Sequence, residues 1–299
     1  MAPTIPDSLR KLMAEVGPRW GTDIPKHVKL MVESFTPVLA TAPKEGVGIT
    51  LDLAYGAHPR QTLDVHQPHG AANAPVAVFL HGGAFVDGDK RRTPEVYGNV
   101  PTYFARNGVL GINLEFRLAP EFKYPACAED VGLAVAWLRE NVARFGGDPD
   151  RIFLMGQSAG AAHAAAYAYN KRLQPPGGPG IAGLIVVSGR VRADNLPENP
   201  NARKVEAYYG TDPAVLEEGS AVNHVSAASV PTFIAIAEYE NPLIDVYCAE
   251  LFHRLAIAKR RAPPIMRLAG HNHISIVTHF NTAEDALGRA LLDFIRAPR

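Results

Sequence analysis

The sequence has few cysteines, no excess of either charge and no long apolar run. Cys127 and Cys248 are the only cysteines in 299 residues, which excludes a disulfide scaffold but leaves a single bridge open. Their spacing fits neither a metal site nor a redox motif. Lys+Arg and Asp+Glu number 30 each, so no overall field favours nucleic acid or an acidic membrane. Uncharged apolar residues never occur about 18 in a row, so we expect no membrane span.

The N-terminal residues also lack a pattern that secreted proteins carry. Residues 1–7 read Met-Ala-Pro-Thr-Ile-Pro-Asp, without the basic region and apolar stretch of a secretory leader. We therefore expect a cytoplasmic protein. Hydrophobic residues make up 47% of the chain and charged residues 20%, which is typical of a globular protein with a sizeable core. The composition leaves a homodimer open.

Short apolar runs alternate with amphipathic stretches along most of the chain. Helical spacing is present twice in the first 40 residues, over 128–145, from 159 to about 173, from about 243 to 259, and at the C-terminus. Such alternation predicts the α/β class, with a mostly parallel central sheet flanked by helices. The predicted strands lie around 48–54, 61–66, 75–80, 109–114, 152–157, 183–188, 232–237 and 265–268.

The strand–helix rhythm also suggests a domain organisation. We predict one main α/β domain over residues 46–299 and a small helical cap segment over residues 1–45. Residues 190–228 look polar and irregular and exceed the usual length of a connection, so we expect a second covering segment there. Met31 and Phe35 lie on an apolar helical face that fits either a lid over a pocket or the core. The basic run at 90–92 is expected to be a solvated loop.

Residues 156–160 read Gly-Gln-Ser-Ala-Gly, and they join a buried strand to an alanine-rich helix. Glycines two residues either side of Ser158 permit a turn so tight that side chains there would collide with backbone. This turn lifts the Ser158 hydroxyl above the sheet edge at a helix N-terminus, where N–H groups favour negative charge. The pattern predicts a nucleophilic serine, although an ordinary turn fits the five residues alone.

Two further regions of the chain fit the same chemistry. Gly82 and Gly83 follow the strand at 75–80, where their N–H groups could stabilise an oxyanion. A serine nucleophile needs a histidine base and an orienting carboxylate, each following a later strand, with the acid first. Residues 238–245 contain Glu238, Glu240 and Asp245, and residues 269–275 contain His271 and His273. The order of these segments favours hydrolase chemistry.

On these motifs the chain resembles the α/β-hydrolase esterases of the hormone-sensitive-lipase and feruloyl-esterase-like group, including their arylformamidase relatives. The resemblance runs from about Asp64 to the C-terminus and rests on residues 81–85, 116–121, 146–152, 156–160 and 272–277. It implies an α/β-hydrolase domain over 46–299, with Ser158 as nucleophile and His273 as general base. The oxyanion hole would be formed by the N–H groups of Gly82, Gly83 and Ala159. We expect Phe85 and Gln157 to contact the substrate.

The acid segment departs from the family pattern. Relatives usually carry Asp directly before Pro-Leu, and Asn241 stands there in this chain. Asparagine holds no charge, so we predict that Glu240, one residue earlier and longer in reach, orients His273. Asp245 and Glu238 stay open as alternatives, and His271 competes with His273. A zinc site at the His-x-His pair is disfavoured, because no cluster of acidic or cysteine ligands accompanies it.

The resemblance implies a serine esterase that cleaves small to medium carboxylic esters without a metal or cofactor. An arylformamidase-type amidase or a carbamate hydrolase would use the same residues and stays open. A non-catalytic ligand-binding protein of this fold is the alternative of a different class. Such proteins commonly lose the triad serine or histidine, whereas this sequence keeps candidates for both.

Overall fold

A computed structural model describes residues 1–298, which form a single eight-stranded sheet. The strand order is β1-β2-β4-β3-β5-β6-β7-β8. β2 pairs antiparallel with β1 and β4, and the other neighbouring strands are parallel. The predicted α/β class and mostly parallel sheet are confirmed. The strands are β1 Val47–Ala54, β2 Thr62–Pro68, β3 Ala74–Leu80, β4 Leu110–Leu114, β5 Gly147–Gln157, β6 Gly183–Val187, β7 Thr232–Tyr239 and β8 Ile265–Asn272.

Helices cover both faces of this sheet. Short 3-10 segments occupy Gly17–Thr22, Val142–Phe145, Lys171–Leu173 and Ala221–His224. The described residues contain no helix that is both long enough and apolar enough to cross a membrane. The α-helices are α1 Asp7–Val16, α2 Ile24–Ala40, α3 Asn99–Arg106, α4 Ala126–Asn141, α5 Ala159–Tyr169, α6 Ala202–Tyr209, α7 Pro213–Gly219, α8 Ile244–Lys259, α9 Ser275–Thr278 and α10 Ala286–Arg296.

The sheet separates two hydrophobic cores, and β3 shows how its strands serve both. Val76 and Val78 belong to the core that contains α4, α5, α6 and α8, whereas Ala77 and Phe79 belong to the core that contains α1, α2, α3 and α10. Successive side chains of a strand point to opposite faces, so a strand buried on both sides is apolar throughout. This is why the central strands are continuous apolar runs in the sequence.

The N-terminal helices lie in the second of these cores. Met31 and Phe35 are fully buried there, so the core alternative holds for both residues. The segment also reaches the loop after β7, because Trp20 Nε1 donates a hydrogen bond of 2.7 Å to Asn241 Oδ1. Gly17 lies against the ring of Tyr239, where an added Cβ would be 2.3 Å from a ring carbon. Gly17 and Trp20 therefore support the end of β7 and the loop that follows it.

Two local expectations are wrong. Residues 190–228 are not irregular throughout, because they contain α6 and α7, whose eight and seven residues are too few to show a long apolar period. The basic run at 90–92 is not solvated as a whole. Lys90 is buried and its Nζ lies 2.7 Å from Asp52 and 2.9 Å from Asp64, while Arg91 pairs with the same two carboxylates.

Candidate active site

Ser158 lies at the break between β5 and α5 in a strained backbone conformation, with φ 55° and ψ −118°. A Cβ on Gly156 would lie 2.4 Å from the Ala161 Cα, and one on Gly160 would lie 2.3 Å from the Leu80 carbonyl oxygen. Only glycine fits at either position, as the sequence pattern predicts. The tight turn leaves Ser158 7% exposed at the first turn of α5.

The loop after β3 lies directly beside this serine. A Cβ on Gly82 would be 3.1 Å from the Ser158 Cβ, and one on Gly83, whose φ is 148°, would be 1.7 Å from the Asp87 carbonyl oxygen. Among the described residues, no acceptor pairs with the N–H groups of Gly82, Gly83 and Ala159. Three unpaired donors next to a serine hydroxyl can bind an oxygen that becomes negative.

A buried histidine and a glutamate fix the position of this loop. His81 Nδ1 lies 2.7 Å from the Gly82 carbonyl oxygen, and Nε2 lies 2.9 Å from Oε1 of Glu115. Glu115 also accepts from Arg60 Nη2 at 2.5 Å and from the Lys90 N–H at 2.9 Å. Burial acts to raise the pKa of Glu115, but the hydrogen bond from His81 and the charges of His81 and Arg60 hold it below its usual value. Glu115 is a supporting residue that sequence reasoning missed.

Of the three candidate acids, the structure brings Glu240 to His273. His273 Nδ1 donates to Glu240 Oε2 at 2.5 Å, and the other oxygen of Glu240 accepts from Ser188 Oγ at 2.6 Å and from the Ala237 N–H at 2.7 Å. Both side chains of the pair are only 4% exposed. The carboxylate is therefore fixed from the strand side, and its second oxygen is directed at the imidazole.

The other candidates have different partners. Glu238 pairs with Arg267 at 3.1 Å, and Asp245 is exposed in the first turn of α8. His271 Nε2 donates to Glu284 Oε1 at 2.9 Å, and this hydrogen bond lowers the pKa of Glu284 to about 2. His271 and His273 thus point to different carboxylates. The described residues contain no group of three or more His, Cys, Asp or Glu side chains that could hold a metal ion.

Gln157 connects the nucleophile turn to the histidine loop. Its Nε2 donates to the His273 carbonyl oxygen at 3.0 Å, and its Oε1 lies 2.2 Å from the position that a Cβ on Gly82 would take. No hydrogen bond joins the Ser158 hydroxyl to His273 within residues 1–298. Such catalytic hydrogen bonds are often long until a substrate binds. The two loops are nevertheless held together by the Gln157 amide.

Phe85 and Gln157, the expected substrate contacts, are each only 1% exposed. Phe85 stacks on Tyr208 of α6 with ring centroids 5.0 Å apart, and it meets Tyr209 edge-on at 5.3 Å. The loop after β3 is thereby attached to the 190–228 segment. Contact of either side chain with a substrate stays a prediction.

A second residue that sequence reasoning missed is Arg190, which follows β6. Its N–H donates to the Ser158 carbonyl oxygen at 3.1 Å. The side chain is buried beside the site. A lone arginine in a segment without periodicity carries no sequence signal that could have identified it.

Known proteins are similar to this chain in sequence and in fold. A family model described as BD-FAE matches residues 63–175. Carboxylesterase NlhH of Mycobacterium tuberculosis is 30% identical over 254 residues, which cover 75% of this chain and 74% of NlhH. Esterase LipC of the same species is 29% identical over 238 residues, 73% of this chain and 58% of LipC. This chain spans 49–58% of the length of the first three curated relatives that it matches.

Solved structures give the same fold over nearly the whole chain. An esterase from Pyrobaculum calidifontis superposes with a TM-score of 0.72 at 21% identity and covers 98% of both chains. Its likeness supports the architecture, and the NlhH match supports the family. The chain belongs to the hormone-sensitive-lipase-like esterases of the α/β-hydrolase fold.

Proposed function

We propose that this protein is a serine esterase that hydrolyses small to medium carboxylic esters through an acyl-enzyme. The observation that carries this proposal is the 2.5 Å contact between His273 Nδ1 and Glu240 Oε2, on the loop that Gln157 attaches to the Ser158 turn. The carboxylate fixes the ring so that its other nitrogen is free to act as a base. Residues 46–299 form the hydrolase domain, and residues 1–45 with 190–228 cover it.

In the first step, Ser158 Oγ attacks the ester carbonyl while His273 Nε2 accepts its proton. Glu240 stabilises the imidazolium that forms, since its charge lies against Nδ1. The carbonyl oxygen gains negative charge and binds the N–H groups of Gly82, Gly83 and Ala159. These donors are in place before the reaction, so little reorganisation is needed.

In the second step, His273 gives its proton to the leaving alcohol, and the acyl group stays on Ser158. A water molecule then repeats the attack, with His273 again as base, and releases the carboxylic acid. Every proton in both steps moves through His273. The scheme therefore uses side chains and backbone of this chain alone.

A panel of p-nitrophenyl esters of increasing acyl length tests the activity. Matched anilides, carbamates and N-formyl aromatic amines in the same panel separate an esterase from an amidase, a carbamate hydrolase or an arylformamidase. Replacing Ser158 with alanine should lower kcat by on the order of 10⁶. A variant that keeps more than a tenth of the activity would contradict the mechanism.

The cytoplasmic location and the homodimer that the composition leaves open are also part of this proposal. Both cysteines are buried and unpaired, which suits a reducing compartment. Cell fractionation tests the location. Sedimentation velocity of the purified protein tests the oligomeric state.

A further inference from the structure

Arg190 is held next to the nucleophile by its backbone. β6 ends at Val187, whose carbonyl oxygen accepts from the Ser158 N–H at 3.1 Å, and three residues later the Arg190 N–H donates to the Ser158 carbonyl oxygen, also at 3.1 Å. Between them, Ser188 Oγ donates to Glu240. The segment 187–190 therefore runs from the nucleophile turn past the catalytic acid, and its last side chain begins at the edge of the site.

The guanidinium of Arg190 is buried, and no carboxylate or carbonyl oxygen of residues 1–298 lies within hydrogen-bond distance of its terminal nitrogens. The residue is 2% exposed, and both terminal nitrogens lack a hydrogen-bond acceptor in the part of the chain that the structure describes. Its neighbour is Tyr247, whose ring centroid lies 5.6 Å from Cζ and whose side chain acts to raise the pKa of Arg190. An arginine stays protonated at neutral pH, and a buried charge without hydrogen bonds is costly. A purely structural role leaves this cost unexplained.

Asp194, the carboxylate whose charge acts on Arg190, is already bound to other donors. Asp194 is close enough to act electrostatically on Arg190, but its Oδ2 accepts from the Tyr247 hydroxyl. Its Oδ1 accepts from the Leu196 N–H and from Asn199 Nδ2, each at 3.3 Å. Burial lowers the pKa of Arg190. The interactions with Tyr247 and Asp194 act to raise this pKa, but they do not restore its ordinary value. Within residues 1–298, neither terminal nitrogen of Arg190 therefore has a carboxylate oxygen at hydrogen-bond distance.

The groups around the guanidinium belong to elements that form the site. Tyr247 stands in the first turns of α8, which follows the loop of Glu240. Tyr209 of α6, whose charge state also affects Arg190, meets Phe85 edge-on at 5.3 Å. The side chains around the guanidinium thus come from α8, which begins after the loop of Glu240, and from α6, which packs on Phe85 of the loop after β3. A substrate bound at Ser158 would have this cation as a neighbour.

We propose that Arg190 binds a carboxylate of the substrate, so that the preferred esters carry one negative charge. This inference rests on the proposed esterase function and names its substrate class. The planar guanidinium matches a carboxylate with two parallel hydrogen bonds. A single cation with Asp194 close by suits a monoanion better than a dianionic phosphate. The ester bond is cleaved as described above, and Arg190 takes no proton.

Matched pairs of esters test this proposal. One pair places the charge on the leaving group, 4-acetoxybenzoate against neutral 4-acetoxybenzamide, and the other places it on the acyl group, p-nitrophenyl hydrogen adipate against p-nitrophenyl adipamate. The wild-type enzyme should prefer the carboxylate of at least one pair by 10-fold or more in kcat/KM. Arg190→Met should remove that preference, so that kcat/KM for the carboxylate ester falls at least 10-fold more than kcat/KM for its neutral partner. Equal rates within both pairs, or equal losses on charged and neutral esters, would overturn the proposal.

Arg192→Met is the control variant, because Arg192 is a neighbouring arginine that already pairs with Glu250 at 2.5 Å. The Arg192→Met variant should keep the preference for carboxylate esters. Loss of the preference in this variant would show that the overall positive charge of the region, rather than Arg190, is responsible. Arg190→Lys is the second variant if methionine prevents folding, and it should weaken the preference because lysine lacks the planar fork.

Binding without turnover separates this proposal from the proposed function. Benzoate should raise the melting temperature of the wild-type protein and inhibit hydrolysis of p-nitrophenyl acetate competitively, whereas benzamide should do neither. Stabilisation by benzoate that is absent in Arg190→Met, together with no turnover of any ester, would uphold the anion site and reject the esterase. Turnover of neutral esters with no effect of benzoate would uphold the esterase and reject the anion site.

Discussion

Among single residues, the acid that orients His273 shows how far a sequence can identify a catalytic side chain in and around the loop after β7. Glu238 lies near the end of β7, Glu240 in this loop and Asp245 in the first turn of α8, and each could serve as the acid by its distance along the chain. Their roles depend on the direction in which each carboxylate points. The Glu240 side chain turns back toward β7, accepts from the Ala237 N–H and thereby faces His273. The spacing relative to Asn241 favours Glu240, and only the backbone path of the loop explains why its neighbours point elsewhere.

The acid assignment predicts a ranking of two variants. Glu240→Gln keeps the shape of the side chain but removes the charge beside His273, so kcat should fall by on the order of 10³- to 10⁴-fold. Asp245→Asn should stay within about 2-fold, since Asp245 is exposed and bonds only near its own backbone. Steady-state kinetics on one p-nitrophenyl ester gives both numbers. The reverse ranking would move the acid role to Asp245.

Gln157 is a residue for which two roles predict different kinetics. Its amide holds the His273 carbonyl oxygen, so Gln157→Met should lower kcat about 10-fold, with KM within about 2-fold, because a buried carbonyl loses its donor. A direct substrate contact would instead raise KM with kcat nearly unchanged. Rates over a range of substrate concentrations separate the two outcomes. Thermal melts check that the variant is folded.

At the scale of elements, the sequence predicts the central strands well and the short helices poorly. β3 and residues 152–156 of β5 are buried between the two cores, so these residues had to be apolar, and positions 156 and 160 had to be glycine. The 190–228 segment contains no strand buried on both faces, so burial does not impose a comparable apolar run on its sequence. α6 and α7 are each about two turns long, and the packing of α6 on Phe85 depends on contacts distant in sequence. Arg190 escapes prediction for the same reason.

The turn between β5 and α5 predicts a sharp difference between two glycines. Gly160→Ala places a Cβ 2.3 Å from the Leu80 carbonyl oxygen, and this strand backbone cannot move aside easily. The free energy of unfolding should fall by about 1–3 kcal/mol, and activity should fall with it. Gly177→Ala is the control, because no atom lies within 4 Å of an added Cβ there. Urea denaturation of both variants is the measurement, and equal stabilities would contradict the geometry.

At the scale of the whole molecule, the candidate site depends on segments from both ends of the chain. Trp20 binds Asn241 in the acid loop, and Arg10 pairs with Glu284, which also binds His271 beside His273. The layer of helices on this face of the sheet therefore positions the acid and histidine loops. Sequence periodicity identified those helices, but it could not tell a lid from core, because both need an apolar face.

Burial of neutral histidines predicts that the folded protein loses stability in acid. Burial lowers the pKa of His66 to about 4, and those of His163 and His279 to about 3, from 6.5. The unfolded chain takes up these protons below pH 6.5 and the folded chain does not, so stability is complete above pH 6.5 and declines toward pH 4. Each histidine should contribute a loss of about 2 kcal/mol between pH 7.5 and pH 5.

His66→Gln isolates one of these contributions. The variant should lose less stability than the wild-type protein between pH 7.5 and pH 5, by about 2 kcal/mol, whatever its stability at pH 7.5. His69→Gln is the matched control, since His69 lies three residues away and is exposed. Urea midpoints at the two pH values give the comparison. A pH dependence of His66→Gln identical to that of the wild-type protein would contradict the buried neutral state.

The proposed mechanism depends on covalent acylation of Ser158, and active-site labelling detects this reactivity at the residue itself. A fluorophosphonate probe should modify the protein once, and peptide mass spectrometry should place the adduct on Ser158. Ser158→Ala should stay unlabelled, and Glu240→Gln should react more slowly than wild type. An adduct on any other residue, or an active enzyme that the probe does not modify, would contradict the account.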